Sequence, residues 1–203
     1  IVVKPNFIHP TPAPGSGGGG YALYVGRLSA EKGIPTMLEA WKGANSAIPL
    51  KVVGEGPLAE MVIAAGKACQ KIEYVGSKLL PEVLDLMRSA EFLVFPSEWH
   101  ETMGRTVMEA FAVGTPVVAS NIGPPASMVV AGETGFHFKP GDITELRVQV
   151  EWCSQNLEQV RALRSNARRA FEAKYTGAAN AATLLAIYKM AKQGGPPSVT
   201  HAG

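Results

Sequence analysis

Residues 21–41, YALYVGRLSAEKGIPTMLEAW, decide how the chain is to be read. YALYVG is a continuous apolar run of strand length, the polar turn after it carries Gly26 and Gly33, and from Ile34 the apolar residues recur at helical spacing. A strand covered on both faces reads as an unbroken apolar run, whereas a half-exposed strand alternates. Strand, turn and amphipathic helix therefore make one βα unit of a parallel sheet.

The same rhythm runs on from there. LKVVG (50–54) precedes the helical PLAEMVIAAGKA (57–68), KIEYVG (71–76) precedes LPEVLDLMRSA (80–90), and EFLVFPS (91–97) precedes GRTVMEAFAVG (104–114). TPVVAS (115–120) is a further strand, PPASMVVAG (124–132) a short turn or helix, and TGFHFKPG (134–141) a last strand and turn. The segments from Ile143 to about Ala173 and from Ala178 to about Lys192 read as helices, and the mixed charges of EQVRALRSNARRAFEAKY (158–175) as a solvated helix face. The class is α/β, a Rossmann-like doubly wound parallel sheet. IVVKPNFIHPTPAPGSGGGG (1–20) reads as a strand end leaving a preceding unit and then a linker, and GGPPSVTHAG (194–203) as a disordered tail. The expected organisation is thus a linker remnant over 1–20, a ligand-binding domain over 21–192 and a tail over 193–203. Beginning at Ile1, the chain reads as a piece of something longer.

Composition narrows the partners. With 203 residues, 46% hydrophobic and 18% charged, the chain builds one sizeable core. A net charge of +2 from 19 basic and 17 acidic residues gives no field that argues for nucleic acid or for an anionic membrane surface. Cys69 and Cys153 stand far apart with no C-x-x-C, which reads as two buried core thiols in a reducing cytoplasm. No apolar run approaches the roughly 20 residues of a membrane span.

In a doubly wound sheet ligands bind at the carboxyl ends of the strands, so chemistry is expected in the loops that follow them. VGRLSAEKG (25–33) places Arg27 and Lys32 around a helix start, where two cations and free N–H groups suit a phosphate or diphosphate; the competing reading is a solvated loop. Ser29 and Lys32 spell S-x-x-K, but neither S-D-N nor K-T-G accompanies them, which sets aside a serine acyl-enzyme. In VVGEGPLAE (52–60), Gly54, Gly56 and Ala59 match G-x-G-x-x-A with Glu73 downstream, the fingerprint of a nicotinamide dinucleotide site. A complete βα unit precedes that motif and Glu73 lies inside its strand, so a structural tight turn with Pro57 in the first helical turn competes with it.

ETMGRTVME (101–109) sets two glutamates eight positions apart. On one helix they would lie up to about 12 Å apart along the axis and about 80° around it. A glycosidase carboxylate pair needs roughly 5 to 9.5 Å, so an acid/base couple fits poorly. With Glu101 in the loop and Glu109 inside the helix, the carboxylates instead suit two ends of an extended ligand, and the Met103, Gly104, Arg105 and Thr106 amides form an anion site between them. Carboxylates on hydroxyls and amides on phosphate describe a sugar nucleotide; a glutamate at a helix start with another on a solvated face is the plainer alternative.

YVGRLSAEKGIPTMLEAW, VVGEGP, KIEYVG, LVFPSEWHETMGRTVMEAFAVGTPVVAS and GETGFHFKPGD together resemble the C-terminal, nucleotide-binding domain of group 1 glycosyltransferases, retaining enzymes of the GT-B fold, from about Tyr21 to about Tyr188. The resemblance implies transfer of a hexose-type sugar from a nucleotide-diphosphate sugar, UDP- or GDP-linked, to an acceptor, without a metal ion or other cofactor. It assigns Arg27, Lys32 and Glu101 to the reaction, the first two on the donor diphosphate and the third on sugar hydroxyls. Gly26, Gly54, Tyr74, Val75, the Met103–Thr106 backbone and Glu109 would hold the nucleotide, with Glu109 on the ribose and the backbone at Tyr74 and Val75 by the base. Many members carry Phe or Tyr where Met103 stands and an acidic residue where Ser127 stands. The acceptor, a sugar, lipid or small molecule, would come from an N-terminal domain outside this chain, which alone would transfer nothing. The expected location is the cytoplasm, on the cysteine usage above, with room for peripheral membrane contact in the full-length protein. Against it stand two alternatives, an NAD-dependent oxidoreductase domain and a non-catalytic domain of the same fold.

Overall fold

In the computed structural model, which describes residues 3–192, six parallel strands form one sheet. They are β1 (Ala22–Val25), β2 (Leu50–Val53), β3 (Ile72–Gly76), β4 (Phe92–Phe95), β5 (Val117–Ser120) and β6 (Gly135–Phe138). Between and after them come α1 (Ile34–Gly43), α2 (Ala59–Ala68), α3 (Leu80–Ser89), α4 (Arg105–Ala112), α5 (Gly123–Met128), α6 (Ile143–Gln155), α7 (Leu157–Ala162), α8 (Arg164–Lys174) and α9 (Gly177–Lys192). The spatial order is β3-β2-β1-β4-β5-β6, the doubly wound arrangement that the alternating pattern predicts. The tail expected over 193–203 lies outside the described residues.

β1, β2, β4 and β5 each feed two cores because consecutive side chains point to opposite faces. Ala22, Tyr24, Phe92, Val94 and Val118 pack with Met37 and Trp41 of α1, Val62 of α2 and Leu146 and Val150 of α6. Leu23, Val53, Leu93, Val117 and Ala119 pack with Met87 of α3, Val107 and Phe111 of α4 and Phe171 of α8. Burial on both faces is why these strands show no polar alternation.

The long C-terminal helical stretch is three helices. Leu146, Val150, Cys153 and Val160 belong to one core, whereas Ala167 and Phe171 belong to the other. A single straight helix cannot serve both faces of a sheet, so the chain breaks at Asn156, whose amide donates back to Trp152 and Cys153, and turns again at Leu163. That route also corrects the reading of 158–175 as a solvated face. The Arg164 guanidinium is buried and donates to the carbonyls of Ala90 (2.9 Å), Arg88 (3.0 Å) and Gly15 (3.2 Å) and to the Thr115 hydroxyl (3.2 Å). Glu91, with no exposed surface, accepts from Arg161 at 2.8 and 2.7 Å and from the Gly20 amide at 3.1 Å.

These contacts also explain why the segment with linker composition is held against the body. Gly15, Gly17 and Gly19 donate to the carbonyls of Val113, Arg88 and Ser89 at 2.8–2.9 Å, and Ile8 bridges to Thr176. Arg168 adds a bond to the Pro12 carbonyl at 2.7 Å. Of the two thiols, Cys153 is buried and pushed up to about 12 by that burial, whereas Cys69 is only half-buried at the end of α2.

Arg164→Ala leaves several buried carbonyls without a donor and is expected to lower unfolding free energy in urea by about 3 kcal/mol or more, with Arg164→Lys recovering only part. Glu91 supplies a pH dependence. Burial by itself raises its carboxyl, but the bonds from Arg161 and Gly20 outweigh it and hold the group below its ordinary 4.5. A depressed folded value gives stability that is complete above the ordinary range and lost as pH falls through the folded value. The melting-temperature gap between wild type and Glu91→Gln is therefore expected to be widest above pH 4.5 and to narrow as pH falls below it, closing only once the folded carboxyl is protonated.

Candidate functional site

β1 is flanked by β2 on one side and β4 on the other, so the chain reverses its winding direction between β1 and β4. At such a switch point the loops leaving the two strands diverge and open a crevice. Here the loops are 26–33 and 96–104, and between them lies a cleft of about 870 Å³, within the usual size of a ligand site.

The two loops are locked together. The Glu98 amide donates to the Glu31 carbonyl at 2.9 Å. Gly33, at φ +71°, passes so close beneath Pro96 that a Cβ would lie 1.9 Å from the Pro96 carbonyl oxygen. Below them the buried Tyr24 hydroxyl donates to the Arg27 carbonyl at 2.8 Å. Burial, with the charges of Glu101 and Glu31, raises the Tyr24 phenol far above its ordinary range and keeps it a donor.

Gly26, Arg27, Lys32, Glu101, Met103, Arg105 and Thr106 all line this cleft. Arg27 is exposed and forms no ion pair among the described residues. Lys32 pairs with Glu101, whose Oε1 also accepts from the Ser97 hydroxyl at 2.8 Å. Ser97 is itself fixed, because its carbonyl accepts from the Ser120 hydroxyl at 2.5 Å. A hydrogen bond from Ser29, the Glu31 amide and the charges of Arg27 and Lys32 hold the Glu31 carboxyl below its ordinary range.

The amide array at the start of α4 is smaller than expected. Arg105 N–H already donates to the Met103 carbonyl at 3.1 Å, while the Met103, Gly104 and Thr106 amides have no partner among the described residues. Glu109 is not in the same cleft as Glu101. It is buried, accepts from Arg105 Nε at 2.9 Å and lines a second cavity of about 470 Å³ with Leu80, Pro81, Leu84 and His9. Arg105 lines both cavities and joins them.

Gly54, Tyr74 and Val75 line neither cavity. The Gly54 carbonyl accepts from the Tyr74 hydroxyl at 3.2 Å, and a Cβ on Gly54, at φ +140°, would lie 1.9 Å from the Gly26 carbonyl oxygen. Across the same two loops the Leu28 amide donates to the Glu55 carbonyl at 2.8 Å and the Leu58 amide to the Leu28 carbonyl at 2.9 Å. The glycines of the dinucleotide-like fingerprint thus let two loops pack on each other. Pro57 lies in the turn before α2 rather than in its first helical turn. Glu73, second in β3, faces Lys51 at 3.7 Å, away from any strand-end loop.

Three cleft residues escape a reading of the sequence. Tyr24 looks like one more core residue of β1. Ser97 is the strand-end residue four positions before Glu101, a spacing that hints at a hydroxyl aimed at that carboxylate only once the loop's path is known. Trp99, 66% exposed, stands on the cleft wall. Of the two departures noted above, Met103 lines the cleft, whereas the Ser127 hydroxyl donates to Pro124 within α5. Among the described residues no helix is long and apolar enough to cross a membrane.

Comparison with known proteins gives the family. Residues 14–170 match the family described as glycosyl transferases group 1. The chain is 31% identical over 192 residues to a glycogen synthase of Mycobacterium tuberculosis, covering 89% of this chain and 46% of that protein. It is 27% identical over 159 residues to a 2-deoxystreptamine N-acetyl-D-glucosaminyltransferase of Niallia circulans, covering 75% of this chain and 41% of that protein. The chain therefore spans less than half the length of these relatives. Among solved structures, sucrose-phosphate synthase from Thermosynechococcus elongatus superposes with a TM-score of 0.75 at 26% identity, covering 91% of this chain and 47% of that one. HepE of Anabaena in complex with UDP-glucose superposes with a TM-score of 0.73 at 21% identity, covering 84% of this chain and 49% of that one. With its doubly wound sheet, its switch-point cleft and a family match over most of its length, the chain belongs to the group 1 glycosyltransferases.

Proposed function

We propose that this chain is the donor-holding domain of a retaining glycosyltransferase, which binds a nucleotide-diphosphate sugar and presents its anomeric carbon to an acceptor carried by another domain. The observation that carries this reading is the convergence of Arg27, Lys32 and the α4 N-terminus with Glu101 in one switch-point cleft. Cations and amides suit a diphosphate, and a carboxylate beside them suits sugar hydroxyls.

Each residue then has a task set by where charge develops. As the glycosidic bond to the diphosphate breaks, negative charge grows on the leaving phosphate oxygens. Arg27 and Lys32 stabilise that charge, electrostatic work for which prearranged groups in a partly dry cleft are well suited. Glu101 accepts hydrogen bonds from the donor sugar and fixes its orientation. Gly26 lets the backbone approach the phosphates, and the free amides of Met103, Gly104 and Thr106 add donors. Beyond Arg105, Glu109 takes the ribose hydroxyls in the second cavity, whereas Gly54, Tyr74 and Val75, which line neither cavity, have no contact with the donor in this reading. The cations do the neutralising that a metal would otherwise supply, so the reading needs no metal or cofactor. The donor is a hexose linked to UDP or GDP, and the acceptor, a sugar, lipid or small molecule, is met by the partner domain. A cytoplasmic enzyme with peripheral membrane contact is consistent with this division of labour.

Calorimetry of the 203-residue chain against UDP, GDP, ADP and NAD tests the reading. Binding of a nucleoside diphosphate in preference to NAD is expected, with Arg27→Ala and Lys32→Ala each weakening it by about 1 to 3 kcal/mol. Wild-type affinity in both variants would refute the phosphate assignment.

A further inference from the structure

We infer that the Lys32–Glu101 ion pair is a placeholder which a donor diphosphate displaces, so that phosphate capture frees Glu101 for the sugar while Ser97 keeps the carboxylate aimed. This rests on the donor-binding reading above. Lys32 and Glu101 are 30% and 15% exposed at the side chain, each facing the cleft, so their pairing occupies two groups that a donor needs separately. Both Lys32 Nζ and Ser97 Oγ bond the same oxygen, Glu101 Oε1. Removing the lysine therefore leaves the carboxylate held on one side by a serine that is 2% exposed and anchored through its own carbonyl to Ser120. Ser97 is a positioning residue in this account.

The exchange conserves charge but changes its company. In the structure the Lys32 ammonium and the Glu101 carboxylate neutralise each other. When a diphosphate enters, Lys32 turns to a phosphate oxygen, and Glu101 is left as an unpaired carboxylate beside a second anion. That is unfavourable unless new donors reach it. A bare nucleoside diphosphate brings none, whereas a sugar conjugate brings hydroxyl groups to the freed oxygen. Sugar and phosphate recognition are thereby coupled through one lysine, and an incomplete donor meets a cost that a complete donor offsets.

The coupling makes a prediction of unusual sign, because removing a charge from a binding site should tighten one ligand. Calorimetry at fixed salt of the 203-residue chain compares UDP, GDP and ADP with UDP-glucose, GDP-glucose and ADP-glucose. Glu101→Gln is expected to bind the preferred bare diphosphate about fivefold more tightly than wild type, since neither an ion pair nor a carboxylate then competes for Lys32. The same variant is expected to lose the added affinity that the sugar provides. Lys32→Met weakens both ligands. Ser97→Ala keeps both charges, so the bare diphosphate stays within about twofold of wild type while the sugar conjugate weakens. Equal or weaker diphosphate binding by Glu101→Gln overturns the exchange, as does an unchanged ratio of the two ligands in Ser97→Ala. If wild type binds no diphosphate at all, the donor reading falls and the exchange with it; if wild type binds and only these variants disagree, the exchange alone falls.

Discussion

The close passage of Gly33 beneath the Pro96 carbonyl is the constraint on which the site depends. A Cβ there would stand 1.9 Å from that oxygen, so no other residue allows the first loop to slide under the second without displacing one of them. That passage carries Lys32 next to Glu101 and fixes Ser97 above Glu31. It works because β1 and β4 are neighbours although two βα units separate them in the chain. The sheet order brings the loops together, and the glycine lets them touch.

The same economy governs the loop after β2. Gly54 and Gly56 both hold left-handed backbone and pack against the loop after β1, so a motif that matches a dinucleotide fingerprint acts as a shim under the first loop. The fingerprint is thus explained by backbone geometry without a nicotinamide, and Glu73 is occupied with Lys51 on the sheet. Rossmann-like sheets need glycine wherever strand-end loops crowd, whatever ligand lies above them.

Much of this was legible in the residues and some was not, for physical reasons. Apolar runs of strand length mark the inner strands β1, β2, β4 and β5, since burial on both faces leaves no ambiguity of period, whereas the edge strands β3 and β6 carry Glu73 and His137 and are read from their place in the strand-helix rhythm. Arg27, Lys32 and Glu101 were findable because they follow strands. The division of the two glutamates between adjoining cavities was not, because it depends on Arg105 standing between them. Arg164 was misread as solvated because charge pattern reports only local sequence, whereas its partners at Gly15, Arg88 and Ala90 are distant in the chain. Ser97 and Tyr24 escape for a different reason: their partners, the Glu101 carboxylate and the Arg27 carbonyl, lie close by in sequence, but only the path of each loop turns the hydroxyl towards them.

The central claim is that a nucleoside diphosphate lies at the switch point between the loops after β1 and β4. An amide-resolved NMR titration of the chain with UDP or GDP tests it most directly. The account predicts shifts at Gly26, Arg27 and Lys32 and at Met103, Gly104 and Thr106, extending towards Glu109. Shifts confined to the Gly54–Ala59 loop, or seen only with NAD, would contradict it.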